Sequence, residues 1–446
     1  MIERLRTVRA SALLLGVLVL WCADASVAFA QTQDDFFNDA AMQEVRIVIS
    51  SRDWQTLKAH AADNTYYAAD LTWNGVTVRN IGIRSRGGAT RNGIKPGLRI
   101  DINHYITNQE FLGLKAFALD NMYSDSSLVR ESVTMKMFEK MKLPASREAH
   151  ARVYVNNEYA GAYVIIEAID RTFVDRMFGA EEANVESGGY LFEYQWTSPY
   201  YLEYLGPGLE AYAALFKPQT RETDSLVNIY APIEEMIRTI NESSDDDFAA
   251  AVGQHLDLRL FMKYLATETF MVEWDGLVGF AGMNNFNLYR SRSGLSQLIP
   301  KDKDASLANL DDSVILRFDS NVLVRRAMQV PALREAYLEA LRQCVVLAGE
   351  PASDDARGWL EREVERQTTL VTPAIADDPV FPYSFDEFLS MTGTLIEFAQ
   401  RRAPYVDCQV TQMDDGLDVD VDPSAACLGV IGEASANLRH PSNLRK

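Results

Sequence analysis

The chain has 446 residues, 47% hydrophobic, 24% charged and 10% aromatic, and a formal net charge of −20. This is globular composition with ample apolar material for a core, and its length suits one two-lobed unit as well as two or three smaller ones. So acidic a surface repels nucleic acid and anionic lipid, which argues against DNA or RNA as a partner; any polyphosphate ligand needs cations concentrated locally against the overall field.

Residues 1–30 read as a targeting signal. Arg4, Arg6 and Arg9 form a basic start, Ala12 to Trp21 an apolar stretch, and Ala28-Phe29-Ala30 supplies small residues for cleavage after Ala30. The apolar run is short for a membrane span, and the bulky Leu20-Trp21 before Cys22 speak against a lipoprotein site. No later stretch is long and apolar enough to cross a bilayer. The expectation is a periplasmic or secreted protein, without stable membrane insertion, beginning near Gln31.

Residues 31–42 are polar and acidic, which predicts a flexible lead-in. From Gln43 to Leu119 the pattern is strand-like: Val45 to Ile49, Val76 to Val78 and Ile81 to Ile83 alternate, with a turn at Asn74-Gly75. Ser127 to Lys142 predicts a helix closed by Leu143-Pro144. Ala151 to Ile169 reads as a hairpin around Asn156-Asn157-Glu158. Asp170 to Phe178 reads as a short helix with an Asp N-cap and a stop at Gly179. Tyr190 to Tyr194 is a strand, and Trp196 to Pro218, rich in aromatics, Pro and Gly, is a loop or lid.

Helices are expected at 224–241, 245–254 and 257–273. A hairpin follows at 287–289 and 295–299, turning at 291–294; further helices fit 321–328, 331–348, 356–371 and 385–402. A β-rich lobe over 43–220 and a mainly helical lobe over 221–408 make an α+β fold. Beyond Gln409 the acidic run Asp414 to Asp422 and a basic end read as a solvated tail over 409–446; Asp414 to Asp418 fails the calcium-loop spacing.

Past the leader the cysteines are Cys344, Cys408 and Cys427, which permit one disulfide with one thiol left over. A buried Cys344 on an apolar helix face is the alternative use of that residue. The five histidines are scattered, so nothing has the spacing of a zinc site.

Two groups of residues stand out chemically. Arg84 to Arg99 holds Arg84, Arg86, Arg91, Lys95 and Arg99 interleaved with glycines, inside an acidic chain. Glycines let backbone N–H groups approach a phosphate, and the cations add charge-assisted donors. Gly88 and Gly93 have P-loop separation, but Ile94 stands where the lysine belongs, so that motif is rejected. A solvated basic hairpin is the competing reading. The second group is Asp275, Asn285, Asp302 and Asp304 around the late hairpin. Phosphoryl transfer needs a carboxylate near an acceptor hydroxyl and oxygen ligands for magnesium, and hairpin geometry brings an amide oxygen and a carboxylate to one ion. Each Asp alone is more often a turn former or cap than a ligand; the ordered set of acid, amide and acid is what stands out.

Five segments in order resemble the CotH (spore-coat protein H) kinase family over about residues 43–405. Tyr154 to Glu167 resembles its "vyvNgeyyGvYlliE" stretch, Arg86 to Arg99 its "RGnssr…Kk…ri", and Asn121 to Arg130 its "anysDptllRn". Asn285 to Tyr289 and Pro300 to Asp304 resemble "NfylYr" and "PwDlD". The resemblance implies an atypical, divergent protein-kinase-like fold that binds ATP with magnesium, or manganese, and phosphorylates an exported protein substrate. By that resemblance Asp275 is the catalytic aspartate, Asp302 the metal aspartate with Asp304 beside it, and Asn285 the second metal ligand. Arg86, Arg91, Lys95 and Arg99 are the phosphate-binding candidates. Glu167 either orients one of them or pairs locally as a half-buried strand acid. Lys217 reaches nucleotide or substrate. Two departures are Gly88 for the Asn after Arg-Gly, and Lys301 for the Trp before the metal aspartate. The alternative is a non-catalytic surface structural or adhesion protein on the same fold. A third class, hydrolase, has thin support, since neither a G-x-S-x-G elbow nor a His-based metal motif is present.

Overall fold

A computed structural model describes residues 31–414 and 421–431; the proposed leader, residues 415–420 and the basic end lie outside them. In chain order the first elements are α1 (Gln33–Phe36), β1 (Gln43–Ile49), α2 (Ser51–Ala59), β2 (Tyr67–Trp73), β3 (Val76–Arg86), β4 (Gly97–Asp101), β5 (Ala116–Asp120), α3 (Arg130–Lys140), β6 (Glu148–Val155) and β7 (Glu158–Glu167). The seven strands close a barrel in the order β1-β2-β3-β4-β5-β7-β6, sealed by parallel pairing of β1 with β6. Alternation dictates the closure. Val45, Ile47 and Ile49 point inward with Ile81, Ile83, Leu98, Ile100 and Val153, and Arg84, Arg86 and Arg99 are left on the outer face. Asn74-Gly75 and Asn156-Asn157 both have two consecutive positive φ angles, the backbone that a two-residue hairpin requires and that Asn and Gly tolerate.

The lead-in differs from expectation. Thr32 and Asp35 form a capping box for α1, and Phe36 is wholly buried in the barrel end among Trp73, Phe111 and Phe117. The pair Phe36-Phe37 supplies apolar burial that the acidic average of the stretch conceals. The structure also adds α2, capped by Ser50, where strand was expected.

The chain continues with α4 (Arg171–Phe178), β8 (Tyr190–Tyr194), α5 (Leu209–Leu215), β9 (Phe216–Pro218), α6 (Leu226–Glu242), α7 (Phe248–Val252), α8 (Leu258–Phe270), β10 (Phe286–Arg290), β11 (Ser296–Pro300), α9 (Val322–Gln329), α10 (Pro331–Ala348), α11 (Trp359–Ala376), α12 (Phe385–Asp414) and α13 (Ser424–Ile431). Asp170 caps α4 as the sequence implies, accepting from the N–H groups of Thr172 and Phe173. Strands β8 to β11 form a second antiparallel sheet, β11-β10-β8-β9, so sheet pairing crosses the expected lobe boundary at residue 220. The 196–218 stretch is not a lid: Tyr200, Leu202 and Tyr212 are buried in the large apolar core shared with the helices. The fold is α+β, β-rich first and helical after. Among the described residues no helix is long and apolar enough to cross a membrane.

The expected tail at 409–446 begins too early. Helix α12 runs through Asp414, and a Cys408–Cys427 disulfide holds α13 against it; the apolar residues Val410, Met413 and Ile431 bury that contact. Cys344 is the buried free thiol.

Candidate functional site

Asp275 lies in the loop after α8, Asn285 immediately precedes β10, and Asp302 follows β11. Because Phe286 pairs with Pro300, the strand ends set Asn285 beside Lys301, whose N–H donates to the Asn285 carbonyl at 3.2 Å. Both Asn285 and Asp302 have left-handed backbone, φ 57° and 54°, a conformation that Asn and Asp accept more readily than most residues and that turns each side chain off the sheet. The Asp275 carboxylate accepts from Asn284 Nδ2 at 3.1 Å and from Asn285 Nδ2 at 3.2 Å. With its NH2 committed to Asp275, the Asn285 amide turns its oxygen elsewhere. Among the described residues the Asp302 carboxylate has neither a hydrogen bond nor an ion pair in the protein.

Arg86, at the end of β3, meets this group from the barrel. It ion-pairs with Asp120 at the end of β5. Burial works against its charge, but Asp120, Asp302, Glu131 and Glu193 more than offset that and hold the guanidinium firmly protonated. Burial raises the Asp275 carboxyl above the ordinary range, Asn284 opposes this and nearby Asp302 adds to it. Asp304, hydrogen-bonded by Ser124, is pushed well up by burial and then by Asp302. Acids held this close in a poorly hydrated place repel one another, and a cation among them relieves the repulsion.

Other predicted residues fall elsewhere. Lys95 is buried and donates at 2.8 Å to Asp378, between α11 and α12, with the rings of Tyr163 and Phe381 beside it. It joins the barrel to the helices and is committed to that carboxylate, not presented to a phosphate. Arg91 donates to Ala62 O and Asn64 Oδ1, both at 2.6 Å, and pins the glycine loop to the α2–β2 connection. Glu167 pairs with Arg147 at 2.6 Å and Arg176 at 2.5 Å, so it is the locally paired strand acid and orients none of the predicted cations. Arg99 and Lys217 both lie within electrostatic reach of Glu193, on the β8 strand opposite. Lys301 ion-pairs with Glu193; burial alone would raise that carboxyl, but Lys301, Lys217 and Arg99 pull it below the ordinary range. A Cβ on Gly88 would meet nothing within 4 Å, so the missing Asn there leaves open space.

Four residues that the sequence reading passed over complete the site. Asp120 and Glu131 flank the Asn121–Arg130 segment on either side, which was the available signal. Glu131, in the first turn of α3, accepts from Lys303 N–H, and burial, then Glu148, Asp302, Asp120 and Asp304, push its carboxyl well up. Lys303 is fully buried and donates to Glu268 on α8 and, at 2.8 Å, to the carbonyl of Asn285. Alternation through Lys301-Asp302-Lys303-Asp304 separates the two charge types: each lysine finds an internal acid, and Asp302 stays open.

Comparison with known proteins points to one family and to a relative within it. The family model described as "CotH kinase protein" matches residues 83–406. "Inner spore coat protein H" of Bacillus subtilis (strain 168) is 22% identical over 385 residues, covering 83% of this chain and 98% of the relative.

Proposed function

This chain belongs to the CotH kinase family, and from that premise we propose that it is an exported, magnesium-dependent kinase that moves the γ-phosphate of ATP to an extracytoplasmic protein. The observation that carries the reading is the meeting of Asp275, Asn285 and Asp302 around one hairpin, with Arg86 facing them from the barrel. Two lobes with a cation on one and oxygen ligands on the other are what a kinase-like fold offers to a nucleotide.

Among the described residues no three His, Cys, Asp or Glu side chains form a ready-made metal centre. Magnesium commonly takes only one or two protein carboxylates and completes its shell with phosphate oxygens and water. Asp302, open, and the amide oxygen of Asn285 fit that use, with Asp304 behind. A bound magnesium ion supplies neutralisation of the phosphate charge. Asp275, held by two amide N–H groups, is aimed to accept the proton of an acceptor hydroxyl as its oxygen bonds to the γ-phosphorus and ADP departs. Arg86 is the first cation for the phosphates, and Arg99 and Lys217 are the next.

Export is supported by the leader-like first thirty residues, by the Cys408–Cys427 disulfide, which suits an oxidising compartment, and by the coat location in the relative's name. The test is incubation with γ-labelled ATP and magnesium. Incorporation into the chain or into co-exported proteins must vanish in Asp275→Ala and Asp302→Ala; unchanged incorporation in both rejects the assignment. One observation favours a second reading, a coat or adhesion scaffold: Lys301 stands where the family has Trp and is tied to Glu193. Calorimetry with millimolar Mg-ATP separates the two, since a scaffold without a nucleotide site gives no heat of binding.

A further inference from the structure

A cleft of about 610 Å³ opens between α1, α3, the 142–148 segment and α4. That is the size of an ordinary small-molecule site. Its walls are partly apolar, from Met135, Leu143 and Met177, and otherwise strongly charged. The charges are unequally satisfied. Arg147 and Arg176 are both bound to Glu167, and Lys136 lies 3.3 Å from both Asp39 and Glu139. Glu148 is only 5% exposed: its Oε2 accepts from Ser132 at 2.8 Å, and its Oε1 is buried without any hydrogen-bond partner. A carboxyl oxygen left so is costly, and native proteins seldom leave one without a purpose.

We infer that this cleft is a binding site for a small organic cation, an amine with an apolar body, whose ammonium group sits against Glu148. The apolar wall takes the body, and the ammonium donates to the orphaned oxygen as Glu148 gives up the proton it otherwise holds, so the amine binds more tightly as pH rises toward 8. A ligand carboxylate finds Arg147, Arg176 and Lys136 already paired and is left with Lys142, which is exposed. The groups facing Glu148 favour a cation further: Glu131 lies beside it on α3, Asp120 at the end of β5 and Asp302 beyond β11, with Lys136 opposing them. A net charge of −20 adds a field that concentrates amines at the protein. The inference does not depend on nucleotide binding, and its test uses none.

The probes are hexylamine, hexanoate and hexan-1-ol, titrated calorimetrically into the full chain at about pH 8.5, where Glu148 is ionised and hexylamine is still an ammonium. Hexylamine is expected to saturate one site with Kd below about 1 mM, and the other two to bind at least about tenfold more weakly. Glu148→Gln is expected to lose about tenfold in amine affinity. Met177→Trp, which fills the cleft and leaves Glu148 in place, is expected to abolish binding, and it decides the matter if Glu148→Gln fails to fold. Equal binding of all three probes, or amine affinity unchanged in Met177→Trp, overturns the inference.

Discussion

Lys303 and Glu268 form an ion pair whose side chains are 0% and 2% exposed, and the same ammonium holds the carbonyl of Asn285. Lys303, between Asp302 and Asp304, is therefore the peg that fixes their loop to α8. Glu268 also accepts from Tyr264 and from Leu277 N–H, so its second oxygen steadies the loop that carries Asp275.

Replacing Lys303 by Met strands Glu268 as a buried charge. Loss of one partner from such a pair typically costs about 3–5 kcal/mol. Urea unfolding should show a loss of this size for Lys303→Met, and Lys303→Met/Glu268→Gln should recover part of it. A double-mutant coupling below about 0.5 kcal/mol contradicts the peg.

Lys95 and Arg86 make opposite predictions although both sit in one basic segment. Lys95→Met leaves Asp378 buried with only the N–H groups of Ala162 and Val380, so stability falls by about 3 kcal/mol while Mg-ATP affinity of the folded protein holds. Arg86→Ala should lower Mg-ATP affinity by at least about tenfold with a smaller loss of stability. Calorimetry paired with thermal unfolding reads both. If Lys95→Met alone abolishes nucleotide binding, the correction of its role is wrong.

These contrasts mark how far the sequence can be read. Asn74-Gly75 and Asn156-Asn157 announce their hairpins because so few residues accept two consecutive positive φ angles. The long apolar period of 331–348 matches α10 to the residue, and the order Asp275, Asn285, Asp302 foretells the site because a hairpin's ends must adjoin. Which of five cations turns toward the site is another matter. It depends on partners hundreds of positions away, such as Asp378 for Lys95. Glu131 stayed hidden because a helical acid reads as a solvated face until α3 is packed against the barrel. Phe36 was masked by its acidic neighbours.

The Cys408–Cys427 bond joins α12 to α13 across a sequence separation of 19. A loop of this size contributes about 3 kcal/mol by restricting the unfolded chain. Cys408→Ser should lower stability by up to that amount, and added reductant should produce the same loss in the parent and none in the variant. Cys344 should resist alkylation until the protein unfolds, since burial pushes its thiol up to about 12. Rapid labelling of Cys344 in the native protein contradicts its placement.

The acid cluster fixes the sign of a pH dependence. Burial pushes the Glu148 carboxyl up to about 8, with Asp120 and Asp302 adding to it and Ser132 and Lys136 opposing. The folded protein thus holds a proton that the unfolded chain has released above the usual carboxylate range. Stability from this group is complete below about pH 4.5, falls as pH rises toward 8, and is level beyond. The amount is on the order of a few kcal/mol. Unfolding midpoints measured in chelator from pH 5 to 8.5 should fall more steeply for the parent than for Glu148→Gln, which removes this contribution and leaves the general repulsion of an acidic chain. Magnesium, which favours ionised neighbours, should stabilise the parent more at pH 8 than at pH 5.5. Parallel pH profiles for parent and variant would refute the placement of Glu148 among these acids, and a magnesium effect independent of pH would refute its coupling to Asp302.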